Sequence, residues 1–83
     1  MDNNKITFKA INLDALEELA KKTSASSLSI QLMIDNGIVG KKDRVKVLGR
    51  GELKTKVNVE AHSFSETATK AIETAGGSAT TKK

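Results

Sequence analysis

The chain has 83 residues, no cysteine, one histidine and a net charge of +4, which suits one small domain of modest stability. A disulfide, a thiolate metal site and a two-histidine metal site are therefore all excluded. No apolar run approaches the ~18 residues of a membrane span, and the polar start Met1–Asn4 lacks the basic and apolar segments of a secretory signal.

Residues 5–11 alternate, with Ile6, Phe8 and Ala10 on one face, and predict a short strand. Asn12 is a favoured N-cap, and Leu13, Leu16, Leu19 and Ala20 then follow helical spacing to about Lys22. Lys21 and Lys22 sit in the last turn, where the helix dipole favours cations. The polar run 23–27 is a connector, and Ser27 is read as the cap of a second helix from Leu28 to Asn36. That helix is apolar on several sides (Leu28, Ile30, Leu32, Met33, Ile34), which predicts a place between layers. Gly37 stops it as the C′ residue.

Val45–Leu48 and Val57–Ala61 read as strands, joined through a turn at Gly49-Arg50-Gly51-Glu52. Ser63-Phe64-Ser65-Glu66 fits a capping box. Phe64, Ala68, Ala71, Ile72 and Ala75 then form one helical stripe, ended by Gly76-Gly77. The pattern predicts a single α+β domain over 5–77, with about three helices and short strands. A polar stub, 1–4, precedes it, and a polar tail, 78–83, follows with room for a short last strand.

Charge is uneven. Residues 1–40 carry a net −1, and residues 41–83 carry +5. The segment 41–56 alone holds Lys41, Lys42, Arg44, Lys46, Arg50, Lys54 and Lys56 against Asp43 and Glu52, again +5. Such an excess favours a polyanion, because each phosphate contact releases counterions. A solvated, lysine-rich loop has the same composition, and charge alone does not separate the two. The only aromatics are Phe8 and Phe64, both at apolar-patterned positions and both expected in the core. Recognition is then expected to use phosphates, sugars and shape rather than base stacking.

The short motifs carry little chemistry. His62 has no nucleophile–base–orienter set around it, so a loop histidine that leads into the next helix or meets a phosphate is the better reading. Gly40-Lys41 lacks the spacing and the Ser/Thr of a P-loop. Gly37-Ile38-Val39-Gly40 matches the G-x-x-G clamp of KH domains, but its apolar middle suits burial. Gly49 and Gly51 lack the third glycine of a dinucleotide fingerprint. They suit a tight turn that brings backbone near a phosphate.

As an ensemble, however, the residues are specific. Val45-Lys46-Val47-Leu48-Gly49-Arg50-Gly51-Glu52-Leu53, Val57-x-Val59-x-Ala61-His62-x-Phe64-Ser65 and Ile72-Glu73-x-Ala75-Gly76-Gly77 resemble the C-terminal signature of the large-subunit ribosomal protein fifteen family. A weaker, collinear likeness covers Ile6–Gly40. The resemblance implies irregular β-β-α turns wound into a short superhelix. It also implies a structural ribosomal protein that binds ribosomal RNA and meets neighbouring ribosomal proteins, with no catalysis and no cofactor. On the matched positions, Lys46, Arg50, Lys54 and His62 are expected to face RNA, and charge adds Lys41, Lys42, Arg44 and Lys56. Gly37, Gly49, Gly51, Gly76 and Gly77 are the expected structural turns.

The resemblance also carries two departures. Family members begin with a long Gly- and Arg/Lys-rich arm that this sequence lacks, so the chain is expected to be the C-terminal domain alone, with reduced RNA affinity. Ser78-Ala79-Thr80-Thr81 is less apolar than the family's usual last strand. The expected setting is the cytoplasmic ribosome, with no membrane contact, no small-molecule substrate, and a monomer when isolated. A free-standing KH-like RNA module and a protein–protein assembly adaptor are the alternatives.

Overall fold

A computed structural model describes residues 8–82. Along them run β1 (Phe8–Asn12), α1 (Leu13–Thr23), β2 (Ser27–Leu28), α2 (Ile30–Asp35), β3 (Arg44–Leu48), β4 (Asn58–Ala61), β5 (Ser63–Phe64), α3 (Glu66–Thr74) and β6 (Ser78–Thr81). The odd strands form one sheet in the order β1-β3-β5, and the even strands form another in the order β2-β4-β6. Every pairing is parallel. A parallel neighbour cannot be reached by a tight hairpin. Here the chain crosses to the other sheet and returns, laying one strand in each sheet per turn. The α+β class is the one the residue pattern predicts, and the winding is what the resemblance implies.

The core lies between the sheets and under the helices. Leu13, Leu16, Leu19 and Ala20 of α1, Val45 and Val47 of β3, and Ala68 and Ile72 of α3 are all buried. Leu28, Met33, Val57 and Val59 close the space between them. No polar side chain is buried among the described residues, so the core needs no internal polar network.

Several local expectations are corrected. Ser27 and Leu28 do not open the second helix. They form β2 against Asn58 and Val59 of β4. Ser29 is the cap, its Oγ accepting from the Leu32 N–H at 3.1 Å. Among the residues of α2 itself only Met33 is buried, so this helix lies on the core rather than between layers.

Likewise Ser63-Phe64 is β5 and not a capping box. Ser65 caps α3 by accepting from the Ala68 N–H at 3.1 Å, and Ala68, not a glutamate, occupies the third helical position. Asn12 holds the expected cap position of α1, but its side chain makes no capping bond. Finally, Phe8 is 48% exposed and Ile11 takes the inward position on β1. Ile6 lies outside the described residues. Phe64 is half-buried at the edge of the core.

Both glycine stops behave as expected. At Gly37 (φ +72°) the N–H bonds the Ile34 carbonyl at 3.0 Å, and the next N–H, of Ile38, bonds the Met33 carbonyl at 2.9 Å. Gly76 (φ +93°) and Gly77 repeat this closure on Glu73 and Ile72. In both cases a left-handed residue satisfies the last carbonyls of a helix. Beyond Gly77, β6 pairs with β4 from Asn58↔Ser78 to Ala61↔Thr81. The polar tail residues are thus tied in by backbone bonds, with Ala79 alone packing on the core.

Candidate nucleic-acid interface

The Gly-turn between β3 and β4 is held by α1. The Leu13 N–H, the first free donor of α1, bonds the Arg50 carbonyl at 2.8 Å. At the next residue, Asp14 Oδ1 accepts from the Glu52 N–H at 2.9 Å. Glu17 Oε1 accepts from the Lys54 and Thr55 N–H groups, both at 3.0 Å, and Oε2 accepts from the Thr55 hydroxyl at 2.8 Å. Gly51 (φ +84°) packs its Cα against the Asp14 carboxylate, where a Cβ would collide. Gly49 faces Thr67 of α3, whose Cγ2 would lie 2.5 Å from an added Cβ. The loop carrying Arg50 and Lys54 is therefore fixed on two sides.

These bonds hold the Glu17 carboxyl down at about 2, below its ordinary 4.5. The Lys54 N–H contributes most, then the Thr55 hydroxyl and N–H, with the Lys21 ammonium a smaller influence. The side chain is 15% exposed, so solvent screens only part of this. A depressed carboxyl stabilises the fold above its unfolded pKa and loses that contribution as pH falls through the folded value. Glu17→Gln is expected to cost roughly 1–2 kcal/mol at neutral pH. In urea titrations the gap to wild type should close between pH 4.5 and about 2. A gap independent of pH would show that the carboxylate charge is not what anchors the loop.

The basic side chains fall into two groups rather than one stripe. Lys41, Lys42 and Arg44 stand at the start of β3 and line a cleft of about 360 Å³. His62 and Lys82 join them there, with Ile30 and Ile34 as an apolar wall. Two carboxylates share the cleft, each already accepting a backbone N–H: Glu60 from Ile30 at 3.2 Å, and Asp43 from Gly40 at 2.8 Å. His62 Nδ1 accepts from the Val45 N–H at 2.9 Å. That bond fixes the tautomer, leaving Nε2 to carry the proton as a donor.

The second group lies past the far end of β3. Lys54 and Lys70 rim a shallow groove over Leu13, Leu53 and Ala71, with exposed Arg50 on the same turn. Lys54 Nζ is 3.6 Å from Glu52 Oε2, but both side chains are about four-fifths exposed, so the pair is weak. Lys56 is exposed and runs beside Gly76. Lys46 lies half-buried on the outer face of β3, between the two groups. Five strand residues span ~16 Å, which is why a contiguous sequence stretch becomes two separate surfaces.

Sequence reasoning missed Lys70 and Lys82, which only the winding of the chain brings to these surfaces. It also missed Asp14 and Glu17. Asp14 in the first turn and Glu17 three residues on share one face of α1, which was the available signal. The G-x-x-G segment is not an exposed clamp. Ile38 packs on the core and Val39 is 5% exposed. The Gly40 N–H is taken by Asp43, which also leaves no phosphate cradle at Gly40-Lys41.

A basic, parallel-wound α+β domain with donor-rich clefts and a braced glycine turn is the class these features define. The family is more specific: the chain belongs to the family described as ribosomal proteins 50S-L15 and 50S-L18e with their 60S counterpart, whose profile matches residues 10–80. It is 55% identical over 78 residues to a Cytophaga hutchinsonii protein named large ribosomal subunit protein uL15, covering 93% of this chain and 52% of that one. Proteins of the same name from Amoebophilus asiaticus and Bacteroides fragilis are each 43% identical, over 76 and 74 residues. These alignments cover 92% and 89% of this chain, and 50% of each relative. The chain spans about half the length of the curated relatives it matches.

Proposed function

We propose that this chain is a structural part of the large ribosomal subunit that binds ribosomal RNA and makes no catalytic contribution. The family match over residues 10–80 carries this reading, and the two basic surfaces supply the chemistry. In the cleft, Lys41, Lys42, Arg44 and Lys82 neutralise phosphates while His62 Nε2–H donates a hydrogen bond. Across β3, Arg50, Lys54 and Lys56 sit on a turn already held in place, so little ordering cost remains on binding. Lys46 bridges the two. The partners are large-subunit ribosomal RNA and neighbouring ribosomal proteins in the cytoplasm. Free in solution the domain is a monomer in this reading, which the sparse apolar surface supports, with Phe8 the one large apolar side chain left exposed among the described residues.

Contacts of this kind are mostly to backbone, so the binding should depend on salt and discriminate weakly between sequences. Titrating the chain against a large-subunit ribosomal RNA transcript at several salt concentrations tests this. A handful of phosphate contacts predicts a slope of log K on log salt of roughly −3 to −6. Salt-independent binding, or none at low salt, contradicts the proposal.

A further inference from the structure

Phe8 is out of place if the only task of the chain is to fold and present cations. Burying a phenylalanine contributes about 1.5–3 kcal/mol, yet this ring is 48% exposed on β1. A single exposed apolar side chain means little by itself, so its neighbours decide.

Side chains alternate across a strand, and directly paired residues of a parallel sheet share a face. Phe8 pairs with Arg44, Ala10 with Lys46, and Lys46 in turn with Ser63. Val45 and Val47 point the other way, into the core. The solvent face of this sheet therefore carries one aromatic ring, a small alanine beside it, and two cations one strand, ~4.8 Å, away. Arg44 is also a wall of the basic cleft. A flat π surface next to cations matches one ligand chemistry well: an unpaired base stacks on the ring while its flanking phosphates meet the cations. Base-paired RNA offers no free base face. A protein segment would bury the ring but gain nothing from Arg44 and Lys46 unless it were acidic.

We propose that Phe8 is a stacking platform for an unpaired RNA base, with Arg44 and Lys46 taking the adjoining phosphates. This rests on the RNA-binding reading above and adds the kind of RNA recognised: a single-stranded segment entering the basic cleft over the β1 side.

The chain contains no tryptophan and no tyrosine, so Phe8→Trp introduces a single indole reporter at the site. Its emission should be quenched by a short unstructured single-stranded RNA, but not by an equally long duplex or by inorganic polyphosphate. Phe8→Ala should fold like wild type by circular dichroism and lose about 5- to 30-fold in affinity for the single strand. Stacking releases no counterions, so that loss should be equal at every salt concentration, whereas Arg44→Gln should flatten the salt slope. If Arg44→Gln weakens binding while Phe8→Ala does not and the indole is unquenched, the stacking inference alone is overturned. If neither variant changes binding, the RNA reading of this surface falls with it. Loss in Phe8→Ala of contact with a neighbouring ribosomal protein, at unchanged RNA affinity, would assign the ring to protein contact and overturn the inference.

Discussion

Gly77→Ala is expected to destabilise the domain by about 3 kcal/mol or more, enough to leave much of a domain this small unfolded. The reason is steric and falls on backbone. A Cβ at Gly77 would run into the carbonyl oxygen, carbon and nitrogen of Val57, none of which can rotate away. Val57 is buried and leads directly into β4, and the Ser78 N–H bonds the Val57 carbonyl at 3.2 Å. Moving either chain loosens β6 from β4 and the Gly77 N–H from the Ile72 carbonyl that closes α3. Gly37 provides the contrast. Its φ is +72° but nothing lies within 4 Å of an added Cβ, so Gly37→Ala should cost only about 1 kcal/mol, for the left-handed backbone. Urea denaturation of both variants checks the order, and equal costs would contradict this account of the glycine pair.

The largest functional effect is expected from removing the three cations at the start of β3 together. Lys41→Gln, Lys42→Gln and Arg44→Gln in one chain should weaken binding to large-subunit ribosomal RNA roughly 10- to 100-fold near physiological salt, and the salt slope should become shallower by about 2–3. All three residues are exposed, so stability should move by less than about 0.5 kcal/mol. Replacing the exposed Lys22 of α1 by glutamine makes a suitable comparison, because it belongs to neither basic surface and, unlike Lys21, does not pair with Glu17. If that single change proves as damaging as the triple, binding follows net charge and not the cleft.

Much of this architecture is legible in the residues because it is local. Leu13, Leu16 and Leu19 at helical spacing predict α1, and Gly37 and Gly76 mark helix ends through a backbone conformation that glycine adopts freely. The signature over 45–77 carries the family, and with it the wound β-β-α turns that spacing alone could not supply, whereas the parallel pairing of every strand appears only in the structure. The misreadings share a cause: several residues suited two roles, and long-range pairing chose between them. Serines at 26, 27 and 29 could each cap a helix, but Leu28 is needed against Val59, so the cap falls on Ser29. Ser63 lost its capping role to strand pairing with Lys46 in the same way. Phe8 fits the alternation of its strand, yet Ile11 is the residue turned inward.

The candidate surfaces were half legible. Counting bases found Lys41 to Lys56 but could not show that β3 divides them, nor that Lys70 and Lys82 join from later elements. The role of Asp14 and Glu17 was hidden for a different reason. Acidic residues look unhelpful to an RNA-binding domain until their oxygens are seen spent on the backbone of the loop that carries Arg50 and Lys54.

Mapping backbone amide shifts of the intact chain by NMR while large-subunit ribosomal RNA fragments are added tests the central claim most directly. Perturbations should gather at 41–46, 62 and 82 around the cleft and at 50–56 and 70 around the braced turn. Perturbations centred instead on Glu18, Lys22 and the outer face of α1, with both basic surfaces silent, would contradict the assignment of these surfaces to RNA.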